Sequence, residues 1–381
     1  MIPVNTHLEA LRRSPIRVYT NLANSVPGCI RLTIGEPDMD TPSNIRSAAA
    51  KALNAGMTHY APNQGILSLR QAIADFETAR GHAVTADRVL VTVGATQALY
   101  TALTGILEPG DEVIIPVPGF VLYESIVLAA GAVPRYLDLT KTDLQIRREA
   151  LGELISSKTR AIILNSPNNP TGTVLDDDSI AAVKEAVAGK EIAVICDNVY
   201  QALSDGLCPD LSLDPELRDQ VLVCQSFSKP WAMTGWRVGY LTAPEKLMEK
   251  LLLLSAANIA SVPTFIQAAA VEALKTDPAP MAEVFRRRRT FVCRRLKEMG
   301  LSFPEPRGAF YVFPDIRPYG LTGDEFCTRM IREAGVAAVP SSCFGVEGFI
   351  RLSCCCSDED LSEGLDRMER FLKTLLKGGN E

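Results

Sequence analysis

Short apolar segments alternate with helix-like segments between residues 89 and 242, and this alternation constrains the fold more than any other feature. A chain that returns to a parallel strand needs a crossover connection, which is usually a helix. We therefore expect an α/β fold, with a mainly parallel sheet between helices on both faces. The predicted strands lie at residues 89–93, 112–116, 133–137, 160–165, 192–196, 221–224 and 238–242.

The chain changes in character after about residue 301. Three strands are predicted at residues 307–313, 336–340 and 348–353, with helices at 322–334 and 358–376. A long helix at residues 281–299 precedes them. This pattern predicts a smaller α+β domain behind the α/β part.

The first ninety residues show a less regular pattern. Residues 1–25 are predicted to form an arm with one short helix at 7–13, followed by a strand at 29–34 that ends in a Gly-Glu-Pro-Asp turn. Helices are predicted at residues 42–54 and 67–78, with a polar and aromatic loop between them. On residue type alone, Tyr60 in that loop is expected to be packed.

Composition excludes several classes of protein. The net charge of -6 argues against nucleic acid as a partner, and three histidines make a Ser-His-Asp mechanism improbable. The ten cysteines show no zinc-binding spacing, so no metal site is predicted. The N-terminus has no signal-peptide core, and the longest apolar stretch, near residues 251–262, is too short to span a bilayer. We therefore expect a cytoplasmic protein without membrane contacts.

Residues 226–239 contain two serines, one lysine and one arginine directly after a buried strand. Burying an ammonium group is costly unless the group is paired or used covalently. A lone lysine in a loop would be expected at the surface, but Ser226, Ser228 and Arg237 surround Lys229 with groups that bind phosphate. This combination suits a phosphate-bearing aldehyde held as a Schiff base.

Other polar groups stand where buried strands end. The turn at residues 94–96 opens a helix and leaves N–H groups free for an anion. Asp197 and Tyr200 follow another strand, where open α/β sheets bind ligands, although Asp197 alone could cap a helix. Arg351 interrupts an apolar strand, which suits either a carboxylate-binding site or an exposed strand position.

Three motifs together carry a resemblance to a known family: residues 226–239, the Asn-Pro-Thr-Gly run at 169–172, and the Asp-x-x-Tyr spacing at 197–200. They resemble class I/II (fold type I) aminotransferases of the aspartate aminotransferase superfamily, which carry pyridoxal 5'-phosphate. The resemblance implies a seven-stranded sheet in a large cofactor-binding domain at residues 46–280. It also implies a discontinuous small domain, formed by the arm at residues 1–45 and by a long helix and C-terminal part at 281–381.

The resemblance also implies roles for individual residues. Lys229 is expected to form an internal aldimine with the cofactor and then to move protons. Asp197 is expected to bond the ring nitrogen, and Phe120 to stack on the ring. Asn169 and Tyr200 are expected to bond the phenolic oxygen. The substrate carboxylate is expected to contact Arg351, Asn169 and the Gly35 backbone. The cofactor phosphate is expected to contact Ala95, Thr96, Ser226, Ser228 and Arg237. Tyr60 of a partner subunit is expected to reach the same phosphate.

The implied function is transfer of an amino group from an L-amino acid to a 2-oxo acid by a ping-pong mechanism, with 2-oxoglutarate as the expected acceptor. The resemblance also implies a homodimer with shared active sites. The same fold and lysine also serve C–S β-lyases, so that activity stays open. A non-catalytic sensor domain of a transcription regulator is a third alternative, although only about thirty residues precede the first strand. The amino donor is not identified, and Thr96 replaces a lysine found in some aspartate aminotransferases.

Overall fold

The computed structural model describes residues 2, 4–11 and 15–378, and its largest feature is a seven-stranded sheet. The strands are β2 (Val89–Thr92), β3 (Glu112–Val117), β4 (Val133–Asp138), β5 (Thr159–Asn165), β6 (Ala193–Asp197), β7 (Val221–Ser226) and β8 (Gly239–Thr242). Their order in the sheet is β2-β8-β7-β6-β5-β3-β4, and every strand is parallel to the others except β8. The predicted α/β fold is therefore confirmed.

Helices cover both faces of the central strands of this sheet, whose successive side chains point to opposite sides, whereas the edge strand β4 is mostly exposed. Along β3, Val113 and Ile115 pack against one set of helices, and Ile114 packs against another. The first face is covered by α5 (Gly94–Ile106), α6 (Leu122–Ala129) and α9 (Glu245–Asn258). The second is covered by α7 (Arg148–Leu154) and α8 (Asp177–Val187).

Three further helices support the loop that follows β7. They are α3 (Ser43–Asn54), α4 (Leu67–Ala79) and α10 (Thr264–Ala273). Their apolar faces form one buried cluster with Phe227, Trp231 and Met233 of the loop. The residues between the strands β7 and β8 are therefore anchored by large apolar side chains on both sides of Lys229.

The C-terminal part forms a separate set of strands and helices. An antiparallel sheet joins β11 (Val339–Pro340), β12 (Ile350–Ser353) and β9 (Tyr311–Val312), and β1 (Ile30–Arg31) pairs in parallel with β10 (Val336–Ala337). The helices are α11 (Ala279–Glu298), α12 (Gly323–Arg329), which continues as one π-helical turn at Met330–Ala334, and α13 (Asp358–Gly378). The pairing of β1 with β10 brings the N-terminal segment into this part.

The arm differs from its prediction. It contains α1 (Thr6–Glu9) and a second helix that was not predicted, α2 (Ile16–Asn24), which buries Tyr19 and Ala23. The predicted helix at residues 7–13 is shorter, and its last two residues lie outside the described residues. Pro15 occupies the N-cap position of α2, and no side-chain hydrogen bond caps the start of this helix.

The predicted strand at residues 336–340 is also divided. It forms two short strands, β10 and β11, that pair in different sheets. Among the described residues, no helix combines the length and the apolar content that crossing a membrane requires.

Candidate active site

A cavity of about 540 Å³ opens at the edge of the large sheet where its parallel strands end. Open α/β sheets bind ligands outside the carboxyl ends of their strands, so the topology favours a site here. Every site residue predicted from the sequence lines this cavity except Tyr60. Those that do are Gly35, Ala95, Thr96, Phe120, Asn169, Asp197, Tyr200, Ser226, Ser228, Lys229, Arg237 and Arg351.

Lys229 extends into the cavity from the loop after β7. Its Nζ donates a hydrogen bond to the carbonyl oxygen of Gly35 at 2.6 Å and lies 5.7 Å from the ring centroid of Phe310. Desolvation lowers the pKa of Lys229 to about 8, although Cys355 and Glu36 favour the charged form. Roughly a tenth of such amines are neutral at pH 7, far more than for an ordinary lysine.

An anion-binding cradle lies beside the lysine. The helix α5 begins at Gly94, and a Cβ atom on that glycine would meet Arg237 Nη2 at 2.6 Å. The hydroxyl oxygens of Ser226 and Ser228 lie 2.9 Å apart. Hydrogen-bond donors are therefore grouped in one place: the N-terminal end of α5, the Arg237 guanidinium and the two serine hydroxyls. Such a group of donors suits a phosphate.

The conformation of Arg237 is unusual. Its φ of 52° lies in the left-handed region, which is costly for a residue with a side chain. Its Nη1 donates to the carbonyl oxygen of Thr234 at 2.9 Å. The buried apolar residues of the surrounding loop hold this backbone, so the guanidinium is kept at the cradle.

Asp197 ends the strand β6 and is buried. Its Oδ2 accepts a hydrogen bond from the Tyr123 hydroxyl at 2.6 Å, whereas its Oδ1 has no partner among the described residues. Desolvation raises the pKa of Asp197 to about 6, against the opposing effect of the Tyr123 hydrogen bond. An unpaired buried carboxylate oxygen is costly, so this atom is suited to a cationic N–H group of a ligand.

Arg351 lies in β12 with only 3% of its surface exposed. Its Nη1 donates to Asn169 Oδ1 at 2.9 Å, and its Nη2 donates to the Thr33 carbonyl oxygen at 2.7 Å. The guanidinium lies 4.5 Å from the Tyr311 ring centroid and 5.0 Å from that of Phe344. Its Nε has no partner within the described ranges, which leaves part of the fork free for a carboxylate.

The cavity also contains residues that the sequence analysis missed. Tyr123 bonds Asp197, and the Tyr311 hydroxyl lies 3.0 Å from the Tyr200 hydroxyl. Ile16 and Thr20 enter the lining from α2. Tyr123 and Tyr311 belong to segments already noted in the sequence, but only the tertiary structure shows what their hydroxyls meet.

Tyr60 lies apart from the cavity that is formed within one chain. It stands in the loop between α3 and α4, and 90% of its surface is exposed. Phe120, by contrast, lines the cavity and makes an edge-on contact with Tyr123 at 5.7 Å between ring centroids.

Comparison with known proteins identifies the family. The model of the family described as aminotransferase class I and II matches residues 27–368. The chain belongs to this family. It is 39% identical to an aromatic-amino-acid aminotransferase 2 of Thermococcus litoralis, over 97% of this chain and 98% of that protein. It is 38% identical to an aspartate aminotransferase of Pyrococcus abyssi, with the same coverage of both chains.

Solved structures of this family have the same fold. An aspartate aminotransferase from Thermotoga maritima superposes with a TM-score of 0.93 at 35% identity, over 97% of this chain and 100% of that one. An aromatic aminotransferase from Pyrococcus horikoshii superposes with a TM-score of 0.88 at 38% identity, over 93% and 99% of the two chains.

The family depends on pyridoxal phosphate, and the residues of the cavity fit that cofactor. The unpaired Asp197 Oδ1 suits a protonated ring nitrogen, and the donors around Gly94 suit a phosphate group. Lys229 supplies an amine with a lowered pKa in the same cavity. The protein is a pyridoxal phosphate-dependent aminotransferase.

Proposed function

We propose that this aminotransferase moves the amino group of an L-amino acid to a 2-oxo acid in two successive half-reactions, with 2-oxoglutarate as the acceptor. One observation carries the proposal: Lys229, the unpaired oxygen of Asp197 and the partly free guanidinium of Arg351 face the same cavity. The arrangement provides an amine, a partner for a cationic ring and a binding group for a carboxylate.

In this scheme, Lys229 has two tasks. When bound, pyridoxal phosphate supplies an aldehyde carbon that condenses with amines and a ring that accepts electrons. Lys229 Nζ would hold that carbon until a substrate amine took its place. The released Nζ would then take the proton from the substrate Cα and pass it to the cofactor, and its lowered pKa suits this task because a base works best near the ambient pH.

Asp197 would keep a proton on the ring nitrogen. Its Oδ1 is the oxygen that would accept that N–H, and the hydrogen bond from Tyr123 to Oδ2 holds the carboxylate in place. Tyr200 and Asn169 would provide donors for the phenolic oxygen, and Phe120 would cover the ring.

Arg351 fixes the substrate by its α-carboxylate. The contacts with Asn169 and Thr33 hold one edge of the guanidinium, and the Tyr311 and Phe344 rings confine its plane. Because the carboxylate position decides which bond at Cα is aligned for cleavage, this residue selects proton removal.

We also propose a homodimer in which Tyr60 contacts the cofactor phosphate of the partner subunit. The exposure of Tyr60 and of the nearby Leu67, 90% and 62%, supports a surface that another chain covers.

The domain division at residues 1–45, 46–280 and 281–381 is also proposed, and the pairing of β1 with β10 supports the discontinuous small domain.

An absorption experiment tests the proposed function. Wild-type protein loaded with pyridoxal phosphate is expected to show a visible band that an amino donor bleaches and that 2-oxoglutarate restores. Lys229→Ala should lower turnover by about 10³-fold or more, because it removes both the covalent anchor and the base. Lys275→Ala is the matched control, because this lysine makes only a surface ion pair.

The outcome also separates transamination from C–S β-lyase activity. Release of pyruvate and ammonia from a sulfur-containing amino acid, without any need for a 2-oxo acid, would replace the proposed reaction by the lyase. Turnover by Lys229→Ala at the wild-type rate would contradict both.

A further inference from the structure

Tyr311 lies in the active site, but the proposed function gives its hydroxyl no task. The side chain belongs to β9, lines the cavity and is almost completely buried. Its hydroxyl oxygen lies 3.0 Å from that of Tyr200. Within the described residues, each of these hydroxyls has the other as its one hydrogen-bond partner.

The position of the Tyr311 hydroxyl is tightly fixed. Its ring packs on Phe310 at 4.7 Å between centroids and under the guanidinium of Arg351 at 4.5 Å. The hydroxyl also lies against the backbone of Gly35, where a Cβ atom would clash with the Tyr311 oxygen. The close approach of the tyrosine therefore requires glycine at position 35.

The direction of the hydrogen bond between the two tyrosines follows from proton counting. A tyrosine hydroxyl has one proton to donate and lone pairs with which to accept. Under the proposed function, Tyr200 donates its proton to the phenolic oxygen of the cofactor. The bond between the hydroxyls must then run from Tyr311 to Tyr200. Burial raises the pKa of Tyr311 to about 12, so this donor keeps its proton at neutral pH.

We propose that Tyr311 is a positioning residue, whose hydroxyl donates to Tyr200 and thereby directs the Tyr200 proton to the phenolic oxygen. The inference rests on the proposed role of Tyr200. A hydroxyl that accepts a hydrogen bond also becomes a stronger donor, so Tyr311 strengthens as well as orients the contact. The ring of Tyr311 separately supports Arg351, and Tyr311→Phe retains that ring.

A double-mutant cycle tests the inference by spectroscopy. The pH midpoint of the visible band is measured for wild type, Tyr311→Phe, Tyr200→Phe and the double variant, each loaded with pyridoxal phosphate. We expect Tyr311→Phe to move the midpoint in the same direction as Tyr200→Phe, by roughly 0.2–0.5 pH unit. The double variant should move it no further than Tyr200→Phe alone, because Tyr311 acts through Tyr200.

Steady-state kinetics provides a second readout. In Tyr311→Phe, kcat should fall about 2- to 10-fold, while KM for the amino acid stays within about twofold because the Arg351 contact is kept. Tyr136→Phe serves as the control, since it removes a hydroxyl bonded to Glu124 outside the cavity. It should change neither the midpoint nor kcat.

Two outcomes would overturn the inference: an unchanged midpoint in Tyr311→Phe, or shifts of the two single variants that add in the double variant. A wild-type protein that forms no visible band with pyridoxal phosphate would overturn the proposed function itself, and this inference with it.

Discussion

Burial changes the proton affinities of the two central ionisable residues in opposite directions. Desolvation disfavours a charge of either sign, so it lowers the pKa of Lys229 to about 8 and raises that of Asp197 to about 6. The two residues therefore suit different partners. The amine of Lys229 suits a carbonyl carbon to which it can bond, and the carboxylate of Asp197 suits a cationic group. Hydrogen bonds to the Gly35 carbonyl oxygen and from the Tyr123 hydroxyl offset part of the cost of burying these two groups in the cofactor-free protein.

The lowered pKa of Lys229 gives a testable pH dependence for the cofactor-free protein. Only a neutral amine attacks an aldehyde, so reductive methylation of Lys229 by formaldehyde with cyanoborohydride as the reductant should rise with pH and level off above about pH 8. Methylation of an ordinary exposed lysine should continue to rise towards the usual lysine pKa of about 10.4. Mass spectrometry of peptides measures both rates in one sample. A Lys229 rate that still rises above pH 10 would contradict the shift.

At the scale of elements, one arginine joins three segments of the C-terminal part. Arg288 of α11 bonds both carboxylate oxygens of Asp38 at 2.6 and 3.0 Å, and it bonds Asp358 at the start of α13 at 2.7 Å. Asp38 follows the Gly35 turn, whose carbonyl oxygen accepts the Lys229 hydrogen bond. Arg288 therefore holds a loop of the active site in place, although it does not itself line the cavity.

We expect Arg288→Gln to lower the free energy of unfolding of the cofactor-free protein by about 2 kcal/mol. The substitution breaks ion pairs in which the guanidinium is largely buried. The carboxylates of Asp38 and Asp358 are partly exposed and remain hydrated, so the loss of stability is smaller than for a fully buried ion pair. KM for the amino acid should also rise, because the Gly35 turn is released. Urea unfolding and steady-state kinetics measure the two effects.

Arg286→Gln provides the comparison on the same helix. Its ion pair with Glu283 is exposed and screened by solvent, so the loss of stability should be much smaller than in Arg288→Gln. Equal losses in the two variants would show that the Arg288 contacts contribute no more than a surface pair.

At the scale of the whole molecule, the site depends on where the sheet ends. The strands β5, β6 and β7 bring Asn165, Asp197 and Ser226 to one edge, and the antiparallel β8 starts at the same edge. The C-terminal part adds Arg351 and Tyr311 from the other side of the cavity. A single chain therefore closes most of the site, while Tyr60 faces solvent.

The proposed dimer predicts that sedimentation equilibrium gives twice the mass of one chain. It also predicts that Tyr60→Phe weakens pyridoxal phosphate binding about 2- to 10-fold, because one hydrogen bond to the phosphate is lost. Tyr319→Phe, in which the tyrosine lies away from the cavity, should bind the cofactor as the wild type does. A monomeric protein whose Tyr60→Phe variant binds normally would contradict the shared site.

Local patterns sufficed to predict much of this arrangement. The apolar strand segments and their helical connections predicted the seven strands of the large sheet along the chain, because hydrophobic period is a property of adjacent residues. Their order in the sheet came from the structure. Lys229, Asp197 and Arg351 were recognisable as polar groups placed against apolar strands. The helix α2 was not predicted.

Local sequence patterns were enough to predict the fold class, the family motifs and the polar residues that line the cavity from the strand ends. The structure was needed to show which groups face one another: Tyr123 bonds one oxygen of Asp197 and leaves the other without a partner among the described residues, and Tyr311 meets Tyr200 although 111 positions separate them in the chain. The physical reason is that periodicity reports which side of an element is buried. The partner of a buried hydroxyl depends instead on packing between elements that are distant in sequence.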